Sequence, residues 1–239
     1  MPGGYYETGA NRAKRVHDLF SSIASRYDLI NDLQSFGLHR LWKRRLVQLA
    51  NPKPGERALD LCCGSGDIAF SLARRGVQVV GLDFAQPMLE VARKRAARYR
   101  GELRIQWLLG DVLRIPCVRD SFDIITMGYG LRNLTNWEDG LRELLRVARK
   151  GARVLILEFG KPPNPLARQA YFAYLKLAVP CFGRVFCGDP EAYAYILDSL
   201  QHYPDQGGVA RAFENAGCRS VKVVNILVGM MSIHHCTAP

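Results

Sequence analysis

The chain has 239 residues, 48% of them apolar, and 33 Lys and Arg stand against 22 Asp and Glu for a formal net charge of +11. That length supports one sizeable α/β domain with its own core, and that apolar content excludes an intrinsically disordered chain. The basic surplus favours anionic partners, nucleic acid or a lipid headgroup surface, and equally suits a basic protein kept soluble by its charge.

The N-terminal run MPGGYYETGANRAKR reads as lacking a secretory apolar segment, and no apolar run approaches the ~18 residues that would span a membrane. Seven cysteines, an odd number with no C-x-x-C pair, fit a reducing compartment better than a disulfide scaffold. The expected location is therefore cytoplasmic. His234-His235-Cys236 lacks the paired ligand spacings of a zinc site, and no metal is expected.

In chain order, residues 11–28 place Val16, Leu19, Phe20, Ile23 and Tyr27 on one helical face, which predicts an amphipathic helix. A second helix is predicted over 38–50, after which Asn51-Pro52-Lys53-Pro54-Gly55 breaks the chain. Beyond the break the rhythm changes. Strands predicted over 57–61, 77–82, 103–109, 122–127 and 153–159 alternate with helices over 67–75, 86–99 and 136–149. This alternation predicts a mainly parallel sheet with helices on both faces. After Lys161-Pro162-Pro163-Asn164-Pro165, helices are predicted over 166–179, 190–200 and 207–216, and strands over 220–227 and 230–235.

The candidate site gathers at strand ends. The first strand runs into Cys62-Cys63-Gly64-Ser65-Gly66, and a helix follows from Asp67, a place where backbone can approach a nucleotide-like ligand. Asp83 closes the second strand, where an acid can accept from ribose hydroxyls. Asp111 follows the third, in reach of an adenine amino group, and Gly128 ends the fourth. Ordinary turn chemistry would also place Gly and Asp at such ends. Gly64-Ser65-Gly66-Asp67-Ile68-Ala69 fits the dinucleotide pattern as well, so glycine spacing alone leaves the cofactor open.

The stretches LDLCCGSGD, YDLINDLQSFGLHRLW, GYGLRN and RVARKGARVLILEFGKP together resemble the ubiquinone/menaquinone biosynthesis C-methyltransferase family. MGYGLRN and EAYAYILDSL look most like its plant and cyanobacterial branch, the 2-phytyl-1,4-naphthoquinone methyltransferases. The resemblance implies a Rossmann-like class I S-adenosylmethionine-dependent methyltransferase fold, with residues 1–50 as a helical lid on a methyltransferase domain over 51–239. It implies S-adenosylmethionine as cofactor, S-adenosylhomocysteine as product, and a prenylated naphthoquinol as acceptor. Asp60, Cys62, Gly64, Ser65, Gly66, Asp83, Phe84, Asp111, Val112 and Gly128 are the implied cofactor residues. Cys62 stands where the wider superfamily usually has glycine, and both cysteines read as small apolar packing residues. Arg149-Lys150-Gly151-Ala152 replaces the family's Lys-Pro-Gly-Gly turn, and Ser232-Ile233-His234-His235-Cys236 departs from its usual last apolar strand.

Arg132, Asn133, Tyr27 and His39 are the candidate catalytic residues. Arg132 stays protonated and would stabilise a phenolate or orient a water, while Asn133 would hydrogen-bond a quinol oxygen. His39 has a suitable ordinary pKa for proton transfer, and a structural hydrogen bond is its other reading. Tyr27 closes over the cofactor or merely ends an apolar face. Asp67 reads as a helix cap. The aromatic segment 169–186 offers a tail channel, a contact with the membrane interface, an ordinary core helix or a dimer interface. A nucleic-acid methyltransferase fits the charge but lacks an Asn/Asp-Pro-Pro-aromatic stretch after strand four, so no nucleic-acid partner is expected. A C-methyltransferase of ubiquinone-type benzoquinols, a non-catalytic quinone-binding module and an NAD-dependent dehydrogenase are the remaining alternatives.

Overall fold

The computed structural model describes residues 10–24, 26–99, 101, 103–187 and 191–239. Seven strands form one sheet: β1 (Arg57–Leu61), β2 (Gln78–Asp83), β3 (Ile105–Leu109), β4 (Phe122–Gly128), β5 (Ala148–Phe159), β6 (Arg219–Ile226) and β7 (Met231–Thr237). Their order is β3-β2-β1-β4-β5-β7-β6. The first five are parallel, and β7 runs antiparallel to both β5 and β6. The order reverses about β1, so β1 and β4 open a crevice at their carboxyl ends.

The helices are α1 (Ala10–Ile23), α2 (Tyr27–Ser35), α3 (Leu38–Ala50), α4 (Asp67–Ala73), α5 (Gln86–Ala97), α6 (Trp137–Val147), α7 (Pro165–Cys187), α8 (Glu191–His202) and α9 (Gln206–Asn215). One core joins the sheet to α6 and α9 through Leu141, Leu144, Val209 and Phe213. The opposite core joins it to α3 and α4 through Leu46, Val47, Ala69 and Leu72. Both faces are therefore covered, as a parallel sheet requires.

Several boundaries differ from the sequence-based expectation, among them the helix expected over 166–179, which runs over Pro165–Cys187. The helix expected over 11–28 is two helices, because the chain leaves the first at Ile23 and Tyr27 begins the second. Its apolar spacing persists across the break, which is why periodicity alone joined them. The helix expected over 136–149 ends at Val147, and Ala148 already pairs with Phe122 in β4. Residues 149–152 then swing out of register before Arg153 pairs with Ile124, with Gly151 at φ +80° supplying the left-handed turn. The strand expected over 230–235 is present as Met231–Thr237, a regular strand held on both edges. His234 and Cys236 point into the core from it, with His234 Nε2 3.0 Å from the Gln206 carbonyl oxygen, while the half-buried His235 lies on the other face. The three side chains therefore do not converge, and among the described residues no group of three His, Cys, Asp or Glu could hold a metal.

Candidate active site

The β1 carboxyl end delivers the loop Cys62–Gly66 into the crevice. Gly64 (φ +54°) and Gly66 (φ +90°) take left-handed conformations, and a Cβ at Gly66 would lie 2.6 Å from the Trp107 ring. Asp83 at the end of β2 ties the loop down: Oδ2 accepts from Gly64 N–H at 2.8 Å and Oδ1 from Ala85 N–H at 2.9 Å. Burial pushes its carboxyl up. Asp60 is buried beneath the loop, accepting from Thr126 Oγ1 at 2.7 Å and Ala69 N–H at 3.0 Å, and burial raises it to about 7. Burial likewise holds the Cys62 and Cys63 thiols well above their usual range, so neither is a ready thiolate.

Three adjoining cavities open here. One of about 80 Å³ is lined by Cys62, Gly64, Asp83, Phe84, Asp111, Val112, Gly128 and Asn133. A smaller one of about 20 Å³ is lined by Lys43, Asp60, Cys62, Gly64, Ser65, Asp67 and Gly128. The largest, about 260 Å³, is chiefly aromatic and aliphatic, with Phe20, Ile30, Trp42, Phe159, Tyr171, Leu175 and Met231 in its wall. Tyr27 and Tyr129 line all three cavities and so stand at their junction. Tyr129 holds a left-handed φ of +61° between two glycines, a strained place for an aromatic residue.

The sequence candidates divide between these spaces. Gly66 shapes the loop from behind, against Trp107. Asp111 caps the turn after β3, its Oδ1 accepting from Leu113 N–H at 2.9 Å. Tyr27, His39 and Arg132 border the large cavity, whereas Asn133 borders the 80 Å³ one and donates from Nδ2 to the Tyr129 carbonyl at 3.1 Å. Burial raises the Tyr27 hydroxyl to about 12, so it remains a donor at neutral pH. Buried polar atoms on the large cavity's residues, among them Asn31 Nδ2, Gln34 Nε2, His39 Nδ1, Tyr129 Oη and Tyr171 Oη, have no hydrogen-bond partner among the described residues. Buried polar atoms are ordinarily satisfied, so these mark a polar ligand within an apolar enclosure.

Sequence reasoning missed five members. Glu158, fully buried on β5, accepts from Arg132 Nη1 at 2.5 Å and Arg132 N–H at 3.1 Å. Arg132 also donates to the Tyr129 carbonyl and lies over the Phe159 ring. A lone acid inside the apolar run Val-Leu-Ile-Leu-Glu-Phe was the signal for Glu158. Lys43 of α3 bonds Asp67 at 2.8 Å, and Arg95 of α5 bonds both Asp67 at 2.7 Å and Asp28 of α2 at 3.1 Å. Burial alone would raise the Asp67 carboxyl, but these two cations hold it well below the carboxylate range. Asp28 also accepts from Ser65 Oγ at 2.6 Å, so α2 is tied directly to the loop. Asp32 completes the set, bonded to His39 and Arg40.

S-adenosylmethionine fits this crevice. The loop leaves backbone accessible, and Asp83 and Asp111 border the 80 Å³ cavity with no Lys or Arg among its described lining residues. That balance suits a ligand with a sulfonium and an ammonium better than a pyrophosphate. A doubly covered, mainly parallel sheet with this crevice at its carboxyl ends defines a Rossmann-like class I S-adenosylmethionine-dependent methyltransferase. Solved methyltransferases share the fold. One from Aquifex aeolicus superposes with a TM-score of 0.63 at 19% identity, covering 89% of this chain and 98% of that one. Another, from Thermotoga maritima, gives 0.67 at 18% identity, covering 93% and 99%.

Within that class the chain belongs to the ubiE/COQ5 methyltransferase family, whose pattern it matches over residues 8–238. It is 38% identical over 226 residues to the ubiquinone/menaquinone biosynthesis C-methyltransferase UbiE of Dinoroseobacter shibae, covering 94% of this chain and 90% of that one. It is 36% identical over 230 residues to the demethylmenaquinone methyltransferase of Desulfitobacterium hafniense, covering 95% and 90%.

Proposed function

We propose that this methyltransferase carbon-methylates a prenylated naphthoquinol of the demethylmenaquinol or demethylphylloquinol type. The observation that carries the reading is the large apolar cavity, which meets the cofactor-side cavities at Tyr27 and Tyr129 and holds unpartnered polar atoms in an aromatic wall. A prenylated quinol has that character: two hydroxyls on a flat ring and a long apolar tail. The names of the relatives and the LDLCCGSGD, GYGLRN and LHRLW stretches support the same class of acceptor.

When bound, S-adenosylmethionine supplies an electrophilic sulfonium methyl group. Asp83 and Phe84 would hold its ribose and adenine, Asp111 and Val112 the adenine edge, and Lys43 with the Ser65 backbone N–H its carboxylate. The protein's task is then to align the acceptor carbon, exclude water and favour the phenolate form. Tyr27 and Tyr129 would form the narrow junction where the ring meets the methyl group. Arg132 is committed to Glu158 and the Tyr129 carbonyl, so its part is to fix the turn bearing Tyr129 and present a cationic edge to the acceptor oxygen. Asn133, on the cofactor side, would bond the cofactor rather than the quinol.

The acceptor would enter from a membrane surface. Phe36, Leu227 and Val228 are exposed, and Phe36 and Leu227 border the cavity. A competition assay tests the acceptor class: equimolar reduced demethylnaphthoquinol and methoxybenzoquinol, with methylated products separated by mass spectrometry. Preferential methylation of the naphthoquinol is expected, and preference for the benzoquinol would overturn the ring assignment.

A further inference from the structure

His39 is 3% exposed on α3, and its two ring nitrogens have different surroundings. Nε2 lies 2.9 Å from Asp32 Oδ1, whereas Nδ1 is buried without a partner and the residue borders the large cavity. Asp32 is itself fixed, taking Arg40 Nε on Oδ1 at 2.7 Å and Nη2 on Oδ2 at 2.6 Å. Ser35 Oγ accepts from the His39 backbone N–H at 3.2 Å, which anchors the start of the helix that carries the ring. A carboxylate accepts only, so it selects the Nε2–H tautomer and leaves an unshared lone pair on Nδ1, on a residue that borders the cavity.

Resting on the quinol reading above, we propose that Asp32 is a positioning residue that sets His39 Nδ1 as the acceptor of the quinol hydroxyl proton. The acceptor's O–H bond breaks, the Nδ1–H bond forms, and the electron pair stays on the oxygen to activate the ring carbon. After the methyl group is gained, His39 returns its proton to that oxygen as the ring C–H proton leaves to water. One proton is released overall. No other described group suits the task as well. Arg132 stays protonated, and burial holds the Tyr27 and Tyr129 hydroxyls above their usual range.

The charged groups acting on His39 are Lys43 on its own helix, Asp32 on α2 and Asp67 on α4. Burial foremost, then Lys43, outweighs the two acids and keeps the ring below its ordinary value, hence neutral at pH 7. Activity should rise as pH climbs through that lowered value. Removing the Asp32 charge should lower it further, shifting the acid limb to lower pH even as turnover falls.

The test uses the full chain with Asp32→Asn and His39→Gln, at saturating S-adenosylmethionine and reduced demethylnaphthoquinol. An Asn amide can donate to Nε2 and favour the wrong tautomer, so kcat should fall on the order of a hundredfold. The KM for S-adenosylmethionine should stay within about threefold, and the acid limb should move down. Nitrogen-15 NMR of the histidine rings, without substrate, should show Nε2–H for His39 in the wild type and its loss in Asp32→Asn. An Nδ1–H tautomer in the wild type, or a kcat within threefold for Asp32→Asn with an unmoved limb, would overturn the proposal. The NMR measurement stands whichever acceptor is used, so failure of this relay is distinguishable from failure of the naphthoquinol reading.

Discussion

At the scale of single residues, the site depends on charges buried in pairs. Glu158 and Arg132 are 0% and 3% exposed, so each needs the other. Removing one partner of a buried pair leaves an uncompensated charge, at a cost of roughly 3–5 kcal/mol. Glu158→Gln should therefore lose stability on that order in denaturant unfolding, and a loss below about 1 kcal/mol would show the pair to be weakly coupled. Asp60 makes a second case through pH. Its carboxyl sits at about 7 in the folded protein instead of the usual 3.8. Between those values the folded state keeps a proton that the unfolded state has released. Its contribution to stability is complete below 3.8 and is lost as pH rises through 7. Asp60→Asn can still accept from Ala69 N–H, so wild type should lose stability relative to this variant between pH 4 and 8. A difference that does not change with pH would contradict the raised carboxyl.

At the scale of elements, the N-terminal helices are joined to the cofactor loop by ions rather than by a broad apolar face. Asp28 on α2 and Lys43 on α3 reach Ser65, Arg95 and Asp67. Arg95→Met removes an ion pair from two carboxylates at once, so KM for S-adenosylmethionine should rise on the order of tenfold, about 1.4 kcal/mol of binding. An unchanged KM would mean that the contacts do not organise the loop. This network also marks the limit of what sequence discloses. The sheet and its helices were legible because period-2 and period-3.6 patterns are local, and the loop, Asp83 and Arg132 were legible because each falls at a strand end. Asp32 and Lys43 were not, because their partners come from other elements and a lone charge looks like an ordinary surface residue; Glu158 stands out inside its apolar run, but its partner Arg132 lies on another element. Even the break at Ile23 was hidden, since the helical spacing of apolar residues in the sequence continues across it.

At the scale of the molecule, the net charge of +11 and the exposed Phe36 and Leu227 at the apolar cavity support the proposed entry of the acceptor from an anionic membrane surface. Among the described residues no helix is long and apolar enough to cross a membrane. Sedimentation with anionic liposomes at low salt should carry the protein down and release it at high salt, and Leu227→Asp with Val228→Asp should weaken the association. Protein left wholly in the supernatant at low salt would contradict this. The central claim concerns the chemistry, and it is tested most directly by methyl transfer from labelled S-adenosylmethionine to a reduced demethylnaphthoquinol beside its oxidised quinone. The account predicts label on the ring of the reduced acceptor and none on the quinone, which has no phenolic proton to lose. Absence of label from the reduced acceptor, while the protein binds S-adenosylmethionine in calorimetry, would contradict it.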